Sequence, residues 1–106
     1  MQLGVDRVAL PRPGVLLFVD QVVTGFRIAW GGAQERYGVV PDMACYGKAI
    51  SGGFPLAAIV GRAEVMSSLD ARQRPRQDLA WASGTLNGNP ISATAGVAAL
   101  DVLERT

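Results

Sequence analysis

The sequence predicts an α/β fold, a slice of a mostly parallel sheet with flanking helices. Residues 15–19 (VLLFV), 43–46 (MACY) and 56–60 (LAAIV) are short apolar runs without polar alternation, the pattern of strands covered on both faces. Helical signals fall between and after these runs rather than in a block of their own. Little helix separates the three strands, so they form part of a larger sheet and not a complete doubly wound domain.

The elements follow in order. Pro11-Arg12-Pro13-Gly14 is a breaker cluster, which sets residues 1–13 apart as a lead-in of different character from the partial domain at 14–106. The first strand is expected at 15–19 and stops at Asp20. A turn or two of helix is expected at 32–37, closed by Gly38. The second strand, 43–46, ends on Gly47-Lys48, and a loop follows over Ser51-Gly52-Gly53-Phe54-Pro55. The third strand, 56–60, ends at Gly61-Arg62, and residues 63–69 suit a short helix with Glu64 in its first turn. Residues 70–78 (DARQRPRQD) are polar and proline-interrupted, so Arg72, Arg74 and Arg76 are expected on a solvated surface. After a turn-rich loop at 83–88, Asn89 suits an N-cap and Pro90 the first helical position. The apolar face of that last helix is expected to carry Ile91, Ala95, Ala98 and Val102, widened by Ala99 and Leu103.

Composition narrows the function. Hydrophobic residues make up 49% and charged residues 18% of the 106, with a mean hydropathy of +0.22, which excludes a disordered chain. A net charge of +1 excludes a strongly basic nucleic-acid binder, so no nucleic-acid partner is expected. Apolar runs such as 15–19 are far shorter than the ~20 residues that span a bilayer. The first 14 residues lack both an apolar core of adequate length and a basic start. No membrane partner is expected, and the expected compartment is cytoplasmic and reducing. The lone cysteine, Cys45, excludes an internal disulfide framework and a zinc site built on several thiolates. No histidine is present, which excludes Ser-His-Asp catalysis and histidine metal sites; no metal is expected. Lys48 is the only lysine, so any lysine-based chemistry runs through it.

Asp20 and Lys48 each follow an apolar run, and ligands of open α/β sheets bind beyond the carboxyl ends of the strands. If the first two strands are parallel neighbours, both residues face one crevice. Spacing alone leaves two readings: a catalytic pair, or an Asp20–Lys48 ion pair that keeps a carboxylate from being stranded. Lys48 has a second bland reading, a side chain that snorkels to water. That is the commoner fate of a lysine; apolar flanks, in turn, would disfavour the charged amine and favour the neutral nucleophile needed for a Schiff base. Gly47 and Gly52-Gly53 permit close backbone approach but form no P-loop, since Ala49 follows Lys48. The stretch Gly84-Thr85-Leu86-Asn87-Gly88-Asn89-Pro90 suits either a phosphate or an ordinary capping loop.

Three motifs in order, LLFVDQVVTGFR, GVVPDMACYGKAISGGFPLAAIVGR and SGTLNGNPISATAG, resemble the central part of class III pyridoxal-phosphate-dependent aminotransferases, and most closely glutamate-1-semialdehyde 2,1-aminomutase-like members. The resemblance runs from about Gly14 to Arg105. It implies part of the large domain of a fold-type I transferase, here residues 14–106, acting on a small-molecule amino donor and acceptor with pyridoxal 5'-phosphate as cofactor. It also implies a homodimer with a shared site. By the same resemblance Asp20 pairs with the cofactor's ring nitrogen, Val22 packs on one ring face, and Lys48 forms the Schiff base and then moves a proton. Thr85 binds the cofactor phosphate, reaching into a neighbouring subunit's site. Arg27 and Arg62 belong to family-like motifs and are expected to be structural.

The chain departs from the pattern at Gln21, where the family has an acidic residue. It departs again at Val23, which donates no hydrogen bond to the ring hydroxyl. Residues 70–82 are longer than in the aminomutases. Counterparts of the family's glycine/serine phosphate loop, its ring-stacking aromatic and its small domain are missing, so the chain is expected to be a fragment, inactive alone. A second function class stays open beside the enzyme: a catalytically inactive remnant or a self-associating interaction module, since a slice of sheet exposes strand edges and apolar surface.

Overall fold

The computed structural model describes residues 14–106; the lead-in expected at 1–13 lies outside the described residues. Three strands, β1 (Phe18–Gln21), β2 (Met43–Tyr46) and β3 (Ala58–Gly61), form one sheet in the order β1-β2-β3. Helix α1 (Gly32–Tyr37) lies between β1 and β2, and α2 (Ala63–Met66) and α3 (Pro90–Arg105) follow β3.

β1 and β2 are parallel, with Phe18 opposite Met43, Asp20 opposite Cys45 and Gln21 opposite Tyr46. Residues 22–42 make the crossover that a parallel pair requires, and α1 sits inside it. The mostly parallel arrangement expected from the apolar runs holds at this pair and not at the next. β2 and β3 are antiparallel, Cys45 facing Ile59. The connection over 47–57 is only a short 3₁₀ turn at Lys48–Ser51 and a loop, which reverses the chain instead of carrying it back across the sheet.

Both outer strands are shifted from the apolar runs. β1 does not stop at Asp20 but runs through it to Gln21, and β3 runs to Gly61. Both start later than expected, for identifiable reasons. β1 begins at Phe18, not at 15, because a side chain takes over part of the ladder at Leu17. The Leu17 N–H donates to Asp42 Oδ2 at 2.7 Å, and Leu17 O accepts from the Asp42 and Met43 N–H groups. β3 begins at Ala58, not at 56. A Cβ at Gly96 of α3 would lie 2.6 Å from Leu56 Cδ2, so Leu56 is spent on the helix and not on the sheet.

α1 ends where expected: Gly38 has φ +68 and its N–H reaches the carbonyls of Gln34 and Glu35. The helix predicted over 63–69 is α-helical to Met66 and 3₁₀ over Ser67–Leu69. Residues 71–78 are exposed, Arg72 pairing with Asp70 and Arg74 bonding Ser67 Oγ, the solvated surface expected there.

α3 starts as the sequence predicts. Asn89 caps it, its side chain accepting from the Ile91 and Ser92 N–H groups at 3.0 and 3.1 Å, with Pro90 at the first helical position. The expected buried face is corrected. Ile91 and Val102 are 67% and 61% exposed, and Ala98 is exposed too; Ser92 and Gly96 are the buried positions, with Ala99 and Leu103 half-buried. Small residues let α3 lie close against the Lys48–Ser51 turn. A Cβ at Gly96 would be 3.4 Å from Ile50 O, and one at Gly52 would be 3.5 Å from Ala99 Cβ.

Buried hydrophobic side chains among the described residues are Ala44 and Ile50; Gln21, Ser51 and Ser92 are buried polar ones. No helix among the described residues is long and apolar enough to cross a membrane.

Candidate functional site

The C-terminal ends of β1 and β2 place Asp20 and the Lys48 turn side by side. Asp20 is the third residue of β1, level with Cys45 on β2. Gly47 follows β2 directly, and a Cβ there would come within 3.3 Å of Val22 Cγ1. Glycine at 47 therefore lets the chain that enters Lys48 lie against Val22. Asp20, Val22 and the Lys48 turn therefore lie at the same end of two adjacent parallel strands, as the apolar runs led one to expect.

The Asp20 carboxylate is divided in its duties. Oδ1 accepts the Val22 N–H at 3.0 Å and the Cys45 S–H at 3.5 Å. Oδ2 has no partner among the described residues. The alternative of an Asp20–Lys48 ion pair is not what forms: the described ion pairs are Arg62–Asp42, Arg62–Glu64 and Arg72–Asp70. Asp20 is exposed, so Oδ2 is open to water or to a ligand's donor, and the residues present can accept a pyridine-type cofactor on that ground.

Lys48 is exposed, so its flanks do not bury the side chain and the expectation of an apolar setting is corrected toward the snorkelling alternative, although Gly47 and Ile50 beside it are buried. Its backbone has φ +46, in the left-handed region that costs a side-chain-bearing residue roughly 1–2 kcal/mol. The turn that imposes this is well tied. The Ile50 N–H reaches Gly47 O at 3.2 Å, and the Gly52 N–H reaches Ala49 O at 3.4 Å. The buried Ser51 hydroxyl donates to Phe54 O. Strain at a lone lysine, held by a turn that α3 backs, marks a position where the surroundings override local preference.

Thr85 is exposed on the turn ahead of α3, and no hydrogen bond joins it to Asp20, Val22 or Lys48 among the described residues. Asn89 caps α3 by accepting from the Ile91 and Ser92 N–H groups, so those two are not open to a phosphate. The Thr85 hydroxyl and the Thr85 and Leu86 N–H groups make no hydrogen bond among the described residues.

Next to Asp20 on β1, Gln21 is fully buried and ties three elements together. Its Oε1 accepts the Ala33 N–H of α1 at 2.7 Å, and its Nε2 donates to Gln34 Oε1 and the Tyr46 hydroxyl, each at 3.1 Å. A Cβ at Gly32, which has φ +67, would lie 2.0 Å from Gln21 Oε1. The Gln21 amide is thus a satisfied donor and acceptor. Burial raises the Tyr46 hydroxyl above its ordinary range, which keeps it a neutral member of this network.

Burial, and behind it the Asp20 carboxylate, also holds the Cys45 thiol up, against a lowering by the Gln21 backbone. Sequence reasoning missed Cys45 as a partner of Asp20. Strand periodicity gives the face of each residue but not the register between strands. Arg62 is structural as expected, bridging Asp42 at 2.9 Å and Glu64 at 2.8 Å. Arg27 is exposed and takes part in no ion pair among the described residues.

Comparison with known proteins gives these features a context. The aminotransferase class-III family model matches residues 10–106. Glutamate-1-semialdehyde 2,1-aminomutase from Pelotomaculum thermopropionicum is 50% identical over 94 residues, covering 89% of this chain and 20% of that protein. Among solved structures, an omega-transaminase from Sphaerobacter thermophilus superposes with a TM-score of 0.76 at 42% identity, covering 85% of this chain and 20% of the other. A transaminase with pyridoxal phosphate bound superposes with a TM-score of 0.73 at 34% identity, over the same shares. The chain spans about a fifth of the length of the relatives it matches.

Proposed function

The chain belongs to the aminotransferase class-III family, and from that premise we propose that it is the cofactor-attaching part of a pyridoxal-phosphate enzyme that moves an amino group. Residues 14–106 are then part of that enzyme's large domain, and the reaction is a transamination or an intramolecular amino transfer on a small-molecule amino donor and acceptor. The observation that carries this is the meeting of Asp20, with its unpaired Oδ2, and the strained Lys48 turn at the ends of two adjacent parallel strands.

When bound, pyridoxal phosphate supplies an aldehyde carbon and a protonated ring that takes up electrons. Asp20 Oδ2 accepts the ring N–H and keeps that proton in place. Val22 offers its methyl groups to one ring face, and Gly47 leaves room for it. Lys48 Nζ would be the amine that holds the cofactor's aldehyde carbon and the base that carries the proton from the substrate Cα. Thr85 and its neighbouring N–H groups bind a phosphate, in a homodimer by reaching the partner subunit's crevice. A cytoplasmic, reducing compartment keeps Cys45 a thiol.

Reductive trapping tests the proposal. The chain is incubated with pyridoxal phosphate, reduced with borohydride and mapped by peptide-resolved mass spectrometry. Label is expected at Lys48 well above the amino-terminal amine, and Asp20→Asn is expected to weaken it. Equal labelling of the two amines, indifferent to Asp20, would remove the proposal for this chain. That outcome would favour the second reading, a self-associating remnant, which the exposure of Ile91, Val97 and Val102 on α3 supports.

A further inference from the structure

We propose that Cys45 is a positioning residue for Asp20: its S–H, together with the Val22 N–H, holds Oδ1 and so commits Oδ2 to the ring nitrogen. The inference rests on the role of Asp20 proposed above and adds a residue to it. Cys45 stands level with Asp20 across the parallel β1–β2 pair, so the two side chains share one face of the sheet. Sγ lies 3.5 Å from Oδ1, and the Val22 N lies 3.0 Å from the same oxygen. Cys45's partner on the other side, on β3, is Ile59, which offers the thiol no acceptor.

A thiol is a weak donor, but an ionised acceptor strengthens the bond. A carboxylate free to rotate about its last bond presents either oxygen; two donors on Oδ1 remove that freedom before the ligand arrives. Burial first, and this contact after it, keep the thiol protonated. A thiolate at 45 would face the Asp20 carboxylate from partly buried surroundings.

Two measurements test this. The first needs no substitution at Cys45 and no cofactor: the rate of iodoacetamide alkylation of Cys45 is followed against pH in the chain and in Asp20→Asn. The midpoint is expected to fall in the variant, since a carboxylate beside the thiol is gone; an unchanged midpoint would overturn the pairing. The second follows pyridoxal phosphate binding through the visible absorption band of the attached cofactor, with its pH dependence, in Cys45→Ala, Cys45→Ser and Asp20→Asn.

Cys45→Ala is expected to weaken binding about three- to tenfold and to move the pH midpoint of the band, the scale of one ordinary hydrogen bond, as suits a weak thiol donor. Cys45→Ser, which keeps a donor, is expected to recover binding to within about twofold. Alanine and serine variants equally impaired would mean that Cys45 only fills space, and would overturn the inference. If Asp20→Asn weakens binding while Cys45→Ala does not, the inference alone falls. If Asp20→Asn is without effect, the role of Asp20 falls, and that of Cys45 with it.

Discussion

Lys48 shows what a single residue carries in this chain. Its side chain is the only primary amine apart from the amino terminus, and its backbone is bent to φ +46. In an ordinary turn position, replacing a residue by glycine rather than alanine loosens the unfolded chain and costs stability. At 48 the order is expected to invert. Lys48→Gly is expected to be more stable than Lys48→Ala by about 1 kcal/mol, because alanine keeps the left-handed strain that glycine does not feel. Urea unfolding of the two variants measures this, and an alanine variant as stable as the glycine one would show that the turn relaxes at no cost. Asp20 and Lys48 were both legible in the sequence as polar residues ending apolar runs. The division of the carboxylate was not, because it depends on Asp20 facing Cys45, a register that no run length encodes.

The elements were legible to differing degrees, and the reason is the same each time: local signals fix ends, and tertiary neighbours fix faces. Gly38 closes α1 and Asn89 opens α3 through bonds made within a few residues, so sequence spacing sufficed. The buried face of α3 is decided by the Lys48–Ser51 turn. Gly96 and Ser92 lie against it because they are small, and the apolar row at Ile91, Ala98 and Val102 is left outside. The loop that follows α2 is similarly local. Asp70 accepts from the Arg72 side chain and backbone and from Gln73, and these bonds, the Arg72 guanidinium first, lower its pKa from 3.8 to about 2. A carboxylate with a depressed folded pKa stabilises above its unfolded pKa, and that contribution goes as pH falls through the folded value. The turn over Asp70–Arg74 is therefore expected to be fully held above roughly pH 4 and to loosen as pH falls toward about 2. Carboxyl-carbon NMR of Asp70 reads the midpoint, and Asp70→Asn is expected to abolish the acid-dependent change in the Arg72 amide. A midpoint at the ordinary carboxylate value would mean the Arg72 contact is not kept in solution.

At the scale of the whole molecule the described chain covers little of its own apolar surface. A chain of this size ordinarily buries roughly 60–70% of its unfolded surface around a core, yet Ala44 and Ile50 are its buried hydrophobic side chains among the described residues. Phe18 at 52%, Trp81 at 86% and Ile91 at 67% stand open to water. An open groove of about 470 Å³ runs along α3 over Pro90, Ile91, Thr94, Ala95 and Ala98. Surfaces of this kind are interaction surfaces or aggregation liabilities. The relatives it matches are about five times longer, so the site described above is built on a platform whose other layers these residues do not supply. The 106-residue chain by itself is therefore expected to self-associate. Its elution should run ahead of an 11.1 kDa monomer and shift with concentration, and it should bind a hydrophobic dye while keeping helical circular dichroism. Placing Asp at Ile91 and Val102 adds two charges to the open face of α3 without touching Ser92 or Gly96, and is expected to reduce the association while leaving the helical signal. A concentration-independent monomer with a sharp cooperative melt would mean that a thin, partly polar core of Gln21, Ala44, Ile50, Ser51 and Ser92 suffices to hold the Lys48 turn in one chain.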